Sequence, residues 1–587
     1  MVAKRVNTYL AKAGCVAFLF AQASFAAVYV VDRSAPNARD SNPGTEAQPF
    51  ATVQKAADTA KPGDTVCVMS GQYPERVLVK TSGEAGRPIV FESRPRRSAA
   101  VEGFRLEASY IRVAGFEITA PAPKNGVEIV GHHNEILDNY IHHMWYALIG
   151  APGRPDASGK RRDYSETTHN RVAYNKVYHC EFGFILSGND WVVESNEVSR
   201  LFMYADPTRR NVDCDYTRFF GVNCVQRYNY YHGTDTQESK VAHVDGIQSF
   251  AVNGEIAENL LFEHNAVFDW GQGCMVSCEP NVGNIRNFTF RRNIFSSFLP
   301  AYKGAWGVNL IDVPNVTVEH NTFCGIVWYG AGLRGPNATG GRIVGNIFQD
   351  ISSPVGLHNT PNPVIEHNLA FRTKDPLSGE KNINGVDPLL VDAHNRNFRL
   401  RQGSPAVGAG PGGTTLGALE YPNVYYVDPR HPGAQDFPGW GYPGVPLATV
   451  ARALDLAEPG ETIILRAGVY REAVVPAKDG VTIKAMPGEK VIISGADLVD
   501  DWRRETEGWW SAPVPSEPKK LLRDGAVWTD YRYDGQARRV FVSGGDPRLR
   551  VWETVVRDKG IDLSKAQNVT VEGIEVVDLA PAQWTGR

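Results

Sequence analysis

Four segments decide the fold: FTFRRNIF (288–295), VTVEHNTF (316–323), GRIVGNIF (341–348) and PVIEHNLA (363–370). In each, alternating apolar residues lead to an asparagine, and a second short apolar pair follows. The asparagines are Asn293, Asn321, Asn346 and Asn368, spaced by 28, 25 and 22 residues, and Asn265 in LLFEHNAV precedes the first of them by another 28. Three further segments carry the same signature: NEILDNYI (Asn139), NRVAYNKV (Asn175) and WVVESNEV (Asn196). A unit this short holds no helix-and-strand pair, and amphipathic strands bury one face only by stacking unit on unit. The pattern predicts an all-β, right-handed parallel β-helix with one coil per repeat. A recurrent Asn at a tight bend, bonded to backbone and to the Asn of the next coil, predicts a ladder. Its role is structural.

Two longer intervals break the repeat, 36 residues before Asn175 and 69 before Asn265. They contain PGRPDASGKRRD (152–163) and the Tyr-, Asp- and Arg-rich run 204–240. Insertions into a solenoid project as loops and commonly carry binding. Arg209 and Arg210 in the second run suit an acidic glycan through charge-assisted bonds. Cys214 and Cys224 in that run are the favoured disulfide pair in an oxidising compartment.

The opening YVVDRSAPNARDSNPGTEAQPFATVQKAADTAKPGDTVCVMSGQY, from Tyr29, is matched by YVDPRHPGAQDFPGWGYPGVPLATVARALDLAEPGETIILRAGVY, from Tyr426. Each copy predicts a strand, a Gly/Pro/Asp-rich loop and an amphipathic helix (51–60 and 448–457) that covers an open solenoid end. GSPAVGAG (403–410) and LGALE (416–420) lie between the two copies. The expected division is a signal peptide over 1–26, a β-helix over 27–420, and a second β-helix start over 424–587. The final VTVEGIEVVDL parallels IRVAGFEITA (111–120), after which many coils still follow, so the second unit reads as unfinished.

Lys4 and Arg5, the apolar stretch 13–20 and Ser24-Phe25-Ala26 read as a signal peptide, which predicts a secreted protein. No later apolar run is long enough to span a membrane. The chain has 587 residues, 57 of them Gly and 37 Pro, with a net charge of −4, so it lacks the basic field of a nucleic-acid partner.

One compact polar constellation interrupts the apolar strands: AHVDGIQSF, with His243, Asp245 and Gln248. Cleavage of a uronic-acid polymer by β-elimination needs the sugar carboxylate neutralised and a base for the adjacent proton. Asp245 and Asp269, one repeat apart, are candidate ligands of a Ca²⁺ ion, with His243 or Lys240 as base. Gln248, Gln272, Arg209 and Arg210 are the candidate substrate-binding residues. Glu279, Asn309 and Asp312 are weaker entries on the same pattern.

The opening segment, the Asn-bearing coils and GSPAVGAG resemble the pectate-lyase-like β-helix superfamily, especially family 9 polysaccharide lyases. That resemblance implies Ca²⁺-assisted β-elimination with a lysine base. HVDGIQSF is similar to the family's first calcium-ligand segment, placing Asp245 on a ligand position, and Asp269 falls near its Asp-rich second segment. Here a single aspartate stands there, and Asn309 occupies the region of the lysine. A polysaccharide lyase is therefore the leading expectation. Glycoside hydrolysis by Asp245, Asp269 and Glu279, or a carbohydrate-binding solenoid without catalysis, are the alternatives.

Overall fold

A computed structural model describes residues 26–150, 164–204, 213–240, 242–251, 255–277, 283–298, 305–437, 439–506 and 508–580. Most of residues 28–384 form one continuous parallel sheet wound into coils. From Arg171 onward a coil contributes three strands, one to each of three faces. The coil around Asn265, for example, uses Leu261–Glu263, Ala266–Phe268 and Gly273–Ser277. The first two are three-residue strands, separated by the corner where the asparagine sits.

That corner explains the repeat. The residue before each asparagine adopts a left-handed conformation: Tyr174, Ser195, Tyr228, His264, Arg292, His320 and His367 all have φ between 50° and 60°. The chain thus turns within one residue, and the following Asn fills the bend with its amide. Asn265 is representative. Its backbone N–H donates to Asn293 Oδ1 at 2.9 Å, and its Nδ2 donates to Gln226 O at 2.9 Å. Its own Oδ1 accepts the backbone N–H and Nδ2 of Asn229, at 3.0 and 2.9 Å. The same bonds run from Asn139 to Asn368 and end on Asn382. Inside the corner Phe295, Phe323 and Phe348 stack at centroid spacings of 5.1 Å.

Two expectations need correction. The 69-residue interval is long enough for more than two coils plus an insertion, and Asn229 within it belongs to the ladder; residues 217–232 are a full coil with strands Thr217–Val222, Val225–Arg227 and Tyr230–His232, so Cys214 and Cys224 do not share one loop-like insertion that lacks a core. The coil's buried side chains include Phe219, Phe220, Tyr228, Tyr230 and Tyr231, whose aromatic character disguised the coil as a polar insertion. Cys214 and Cys224 are both buried free thiols. They flank opposite ends of a six-residue strand, about 20 Å at 3.3 Å per residue, whereas disulfide Cα atoms lie about 4.4–6.8 Å apart. The first insertion, 152–163, and the signal-peptide segment lie outside the described residues.

The duplicated segment is duplicated in structure as well. The helices are Val53–Thr59 and Val450–Leu456, capped by Thr52 and Thr449. Asp40 accepts the N–H groups of Ala51 and Thr52, as Asp436 does for Ala448 and Thr449. Glu75 and Glu472 accept the next two N–H groups in the respective copies.

The second unit begins a new parallel set at Val424–Val427 and docks along a flank of the first. Arg430 Nη2 donates to Tyr174 OH at 2.6 Å, and His431 Nε2 pairs with Tyr228 O at 2.9 Å. The Trp-rich stretch forms two antiparallel four-stranded sheets within 496–555, after which Thr570–Glu572 and Ile574–Val577 resume the parallel stacking. No helix among the described residues is long and apolar enough to cross a membrane.

Replacing Asn265 by Ala leaves the Asn229 N–H and the Gln226 carbonyl without partners in a buried corner. Each such group costs about 1–3 kcal/mol, so urea denaturation should show a loss of about 3 kcal/mol. A second, exposed ladder links Asn223, Asn259 and Asn287 through side-chain amides. Asn259→Ala should cost under about 1 kcal/mol, because water replaces its partners.

Candidate functional site

The third face of the solenoid carries the candidate site. Its strands are Tyr146–Gly150, Phe182–Ser187, Thr217–Val222, Asp245–Phe250, Gly273–Ser277, Trp306–Ile311 and Tyr329–Arg334, each paired in parallel with the next, with a register shift between Asp245 and Ile247. Arg218 lies opposite Gln248, and Asp213 forms a parallel bridge to His243. Asp215 is therefore level with Asp245, and equivalent positions of adjacent coils bring these side chains together.

Asp215 and Asp245 are fully buried. The Asp245 backbone N–H donates to Asp215 Oδ1 at 3.3 Å. Arg218 bonds Asp215 through Nε and Asp213 through Nη2, so Nη1 takes part in neither bond. Its guanidinium is sandwiched over Phe182 and Phe250, with centroid distances of 4.9 and 5.5 Å. Gln248 Nε2 donates to Asp245 Oδ2 at 3.1 Å. Asp245 Oδ1 and Gln248 Oε1 are buried acceptors without a partner, and a proton on Asp245 turns one of them into a donor.

Burial is the main cause of perturbed acidity here. It pushes Asp215 up from 3.8 to about 6 against the opposing pull of Arg218. Burial, together with the charges of Asp215 and Asp213, raises Asp245 well above 3.8. The two carboxyls thus hold protons that an exposed aspartate would have released. At the surface above them stand His243, with 46% of its side chain exposed, and Asp213, with 27%; His243 Nδ1 lies 3.7 Å from Asp213 Oδ1.

Asp269 does not join this group. It sits at the corner after Ala266–Phe268, with φ 55°, and pairs with Arg396 Nη2 at 2.6 Å. The residue in register with Asp245 is Gly273. The repeat length misled the reading because the corner, rather than the strand, lies 24 residues on. Among the described residues no set of three or more His, Cys, Asp or Glu side chains converges as a metal-binding group. Arg218 reaches between Asp213 and Asp215, so these side chains, among the described residues, do not fit the expected calcium ion.

Lys240 caps the short helix Thr236–Ser239; its Nζ donates to Met203 O at 3.3 Å and lies over the Phe202 ring. Gln272 contributes its carbonyl to the N–H groups of Ala305 and Trp306. Asn309 Oδ1 accepts the Tyr329 hydroxyl at 3.0 Å, and Asp312 Oδ1 accepts the Asn337 N–H. Arg209, Arg210 and Glu279 lie outside the described residues. The sequence reading missed Asp213, Asp215 and Arg218; the signal for them was DCDYTR (213–218), which stands 30 residues before HVDGIQ in the same order of strand and charge.

Residues 29–181 match the family described as the Pel9A-like, right-handed beta helix region. The uncharacterized protein YwoF of Bacillus subtilis (strain 168) is 38% identical over 68 residues, which are 12% of this chain and 14% of that protein. Among solved structures, the GH136 lacto-N-biosidase of Eubacterium ramulus superposes with a TM-score of 0.41 at 12% identity, covering 62% of this chain and 68% of that one. Pectate lyase Pel9A gives 0.35 at 16% identity, covering 68% and 97%, and the PL6 family alginate lyase AlyGC gives 0.36 at 13%, covering 75% and 67%. The chain is thus a parallel β-helix protein whose residues 29–181 are similar to the Pel9A-like, right-handed beta helix region.

Proposed function

We propose that the protein is an exported polysaccharide-active enzyme that cleaves an acidic polysaccharide by β-elimination on the third face of its solenoid. The observation that carries this reading is the cluster of Asp213, Asp215, Arg218, His243 and Asp245 on two adjacent coils. Arg218 is held rigidly by two carboxylates and two rings, and its Nη1 is left for a sugar carboxylate. That contact withdraws charge as the proton beside the carboxylate leaves. His243, half-exposed and beside Asp213, is the base for that proton. The electron pair of the broken C–H bond forms the new double bond, the glycosidic C–O bond breaks, and the leaving oxygen gains a proton. Asp215 and Asp245 position Arg218 and the strand from beneath. The Pel9A-like match of residues 29–181 supports a polysaccharide-directed role.

A second reading, glycoside hydrolysis, is favoured by one observation: Asp215 and Asp245 retain protons at pH values where an ordinary aspartate has lost them, as a general acid requires. The full chain is incubated with a panel of acidic and neutral polysaccharides while unsaturated-uronate absorbance and reducing ends are followed together. β-Elimination predicts both signals on an acidic polymer, falling about 10²-fold or more in His243→Ala and Arg218→Ala. Asp269→Asn should retain most activity, because Asp269 faces Arg396. Reducing ends without absorbance would establish hydrolysis, and the absence of product on every polymer would contradict both readings.

The buried acid also has a stability signature. Between pH 3.8 and about 6 the folded protein keeps a proton on Asp215 that the unfolded chain releases. The stability linked to this group is therefore full below 3.8 and is lost as pH rises to about 6. Urea unfolding should show Asp215→Asn gaining on the wild type across that window; a constant difference would contradict the raised pKa.

A further inference from the structure

Of the chain's twelve tryptophans, two are more than a third exposed among the described residues: Trp145 at 49% and Trp328 at 55%. Isolated exposed apolar side chains are ordinary. These two share a structural position. Each immediately precedes a third-face strand, Tyr146–Gly150 and Tyr329–Arg334 respectively, at the corner that leads into that face. Each also adjoins a ring pair on the face itself. Tyr146 and Phe182 stack at 5.0 Å, and Trp306 stacks on Tyr329 at 6.1 Å while lying 5.3 Å from Trp328.

The upper pair sits on a surface shaped for it. A Cβ at Gly332 would approach the Tyr329 ring to 2.5 Å, and one at Gly356 to 2.9 Å. Glycine at both positions lets the Tyr329 ring lie close against the sheet, and its hydroxyl is fixed on Asn309.

Between the two tryptophans lie the Phe182, Thr217, Asp245, Gly273 and Trp306 strands. Six strand spacings of about 4.8 Å make a span of about 29 Å along the solenoid axis. Asp215 lies two strands above Trp145, and Asp245 three strands below Trp328. The charged cluster is therefore near the middle of a face whose two ends carry exposed tryptophans. A side chain that presents an apolar ring and a polar edge suits the alternating faces of a pyranose.

We propose that Trp145 and Trp328 are the terminal sugar-stacking subsites of a groove that holds an extended polysaccharide chain parallel to the helix axis, so that the charged cluster meets an internal linkage rather than a chain end. This deepens the function proposed above and rests on it for the identity of the central site. Its chemistry calls for a chain long enough to reach both rings, with anionic sugars over Arg218.

The test uses the full chain and calorimetric titration with oligogalacturonates, oligoalginates and neutral cello-oligosaccharides, from disaccharide to octasaccharide, on the His243→Ala protein to prevent turnover. Affinity for an acidic series should rise with length. Trp145→Ala and Trp328→Ala should each weaken octasaccharide binding about 10-fold while changing disaccharide binding little. In the otherwise wild-type enzyme, these two substitutions should shift products from internal fragments toward a broader size range. Unchanged octasaccharide affinity in both tryptophan variants overturns the inference even if cleavage persists. Tryptophan-dependent binding in a wild-type protein that yields no product would uphold the groove and refute the proposed chemistry.

Discussion

Everything in this molecule depends on the hydrogen bond from one asparagine amide to the asparagine of the next coil. Because Asn265 both accepts from Asn229 and donates to Asn293, it cannot slip by a residue without leaving buried amides unpaired on two coils. The ladder therefore fixes register at one corner of every coil it passes. Two corners away, that register aligns third-face side chains into columns about 4.8 Å apart. A site can then be assembled from residues 30 positions apart in the chain, as with Asp215 and Asp245.

The cluster shows how a buried charge is tolerated in such a column. Three aspartates within two coils would repel strongly; Arg218 compensates Asp213 and Asp215, and burial raises the pKa of Asp245 so that its proton is held more tightly. The guanidinium thus does by permanent charge what a bound cation does among carboxylates, and it does so with a fixed direction. The rings of Phe182 and Phe250 lie 4.9 and 5.5 Å from it.

Much of the fold was legible in the sequence because the asparagine corner repeats its residue types as well as its spacing. The interval before Asn265 left room for further coils, but Asn229 was not placed in one because tyrosines stand where aliphatic residues stand elsewhere, and because its neighbours at 213–218 are charged. Asp245 and His243 were visible as polar residues on an apolar strand. Arg218, Asp213 and Asp215 were not, since their importance comes from lateral stacking between coils of unequal length. The same inequality made Asp269 look like a partner of Asp245, although it turns the opposite corner toward Arg396. The duplicated capping segment was plain in sequence, whereas the antiparallel sheets within 496–555 were not, because their strands pair with each other rather than with the solenoid.

The most direct test of the column-built groove is a crystal structure of the His243→Ala protein with an acidic octasaccharide bound. The account predicts a sugar chain lying along the third face, with one carboxylate within hydrogen-bonding distance of Arg218 Nη1 and rings over Trp145 and Trp328. A ligand on another face, or one running across the column with Arg218 untouched, would contradict it.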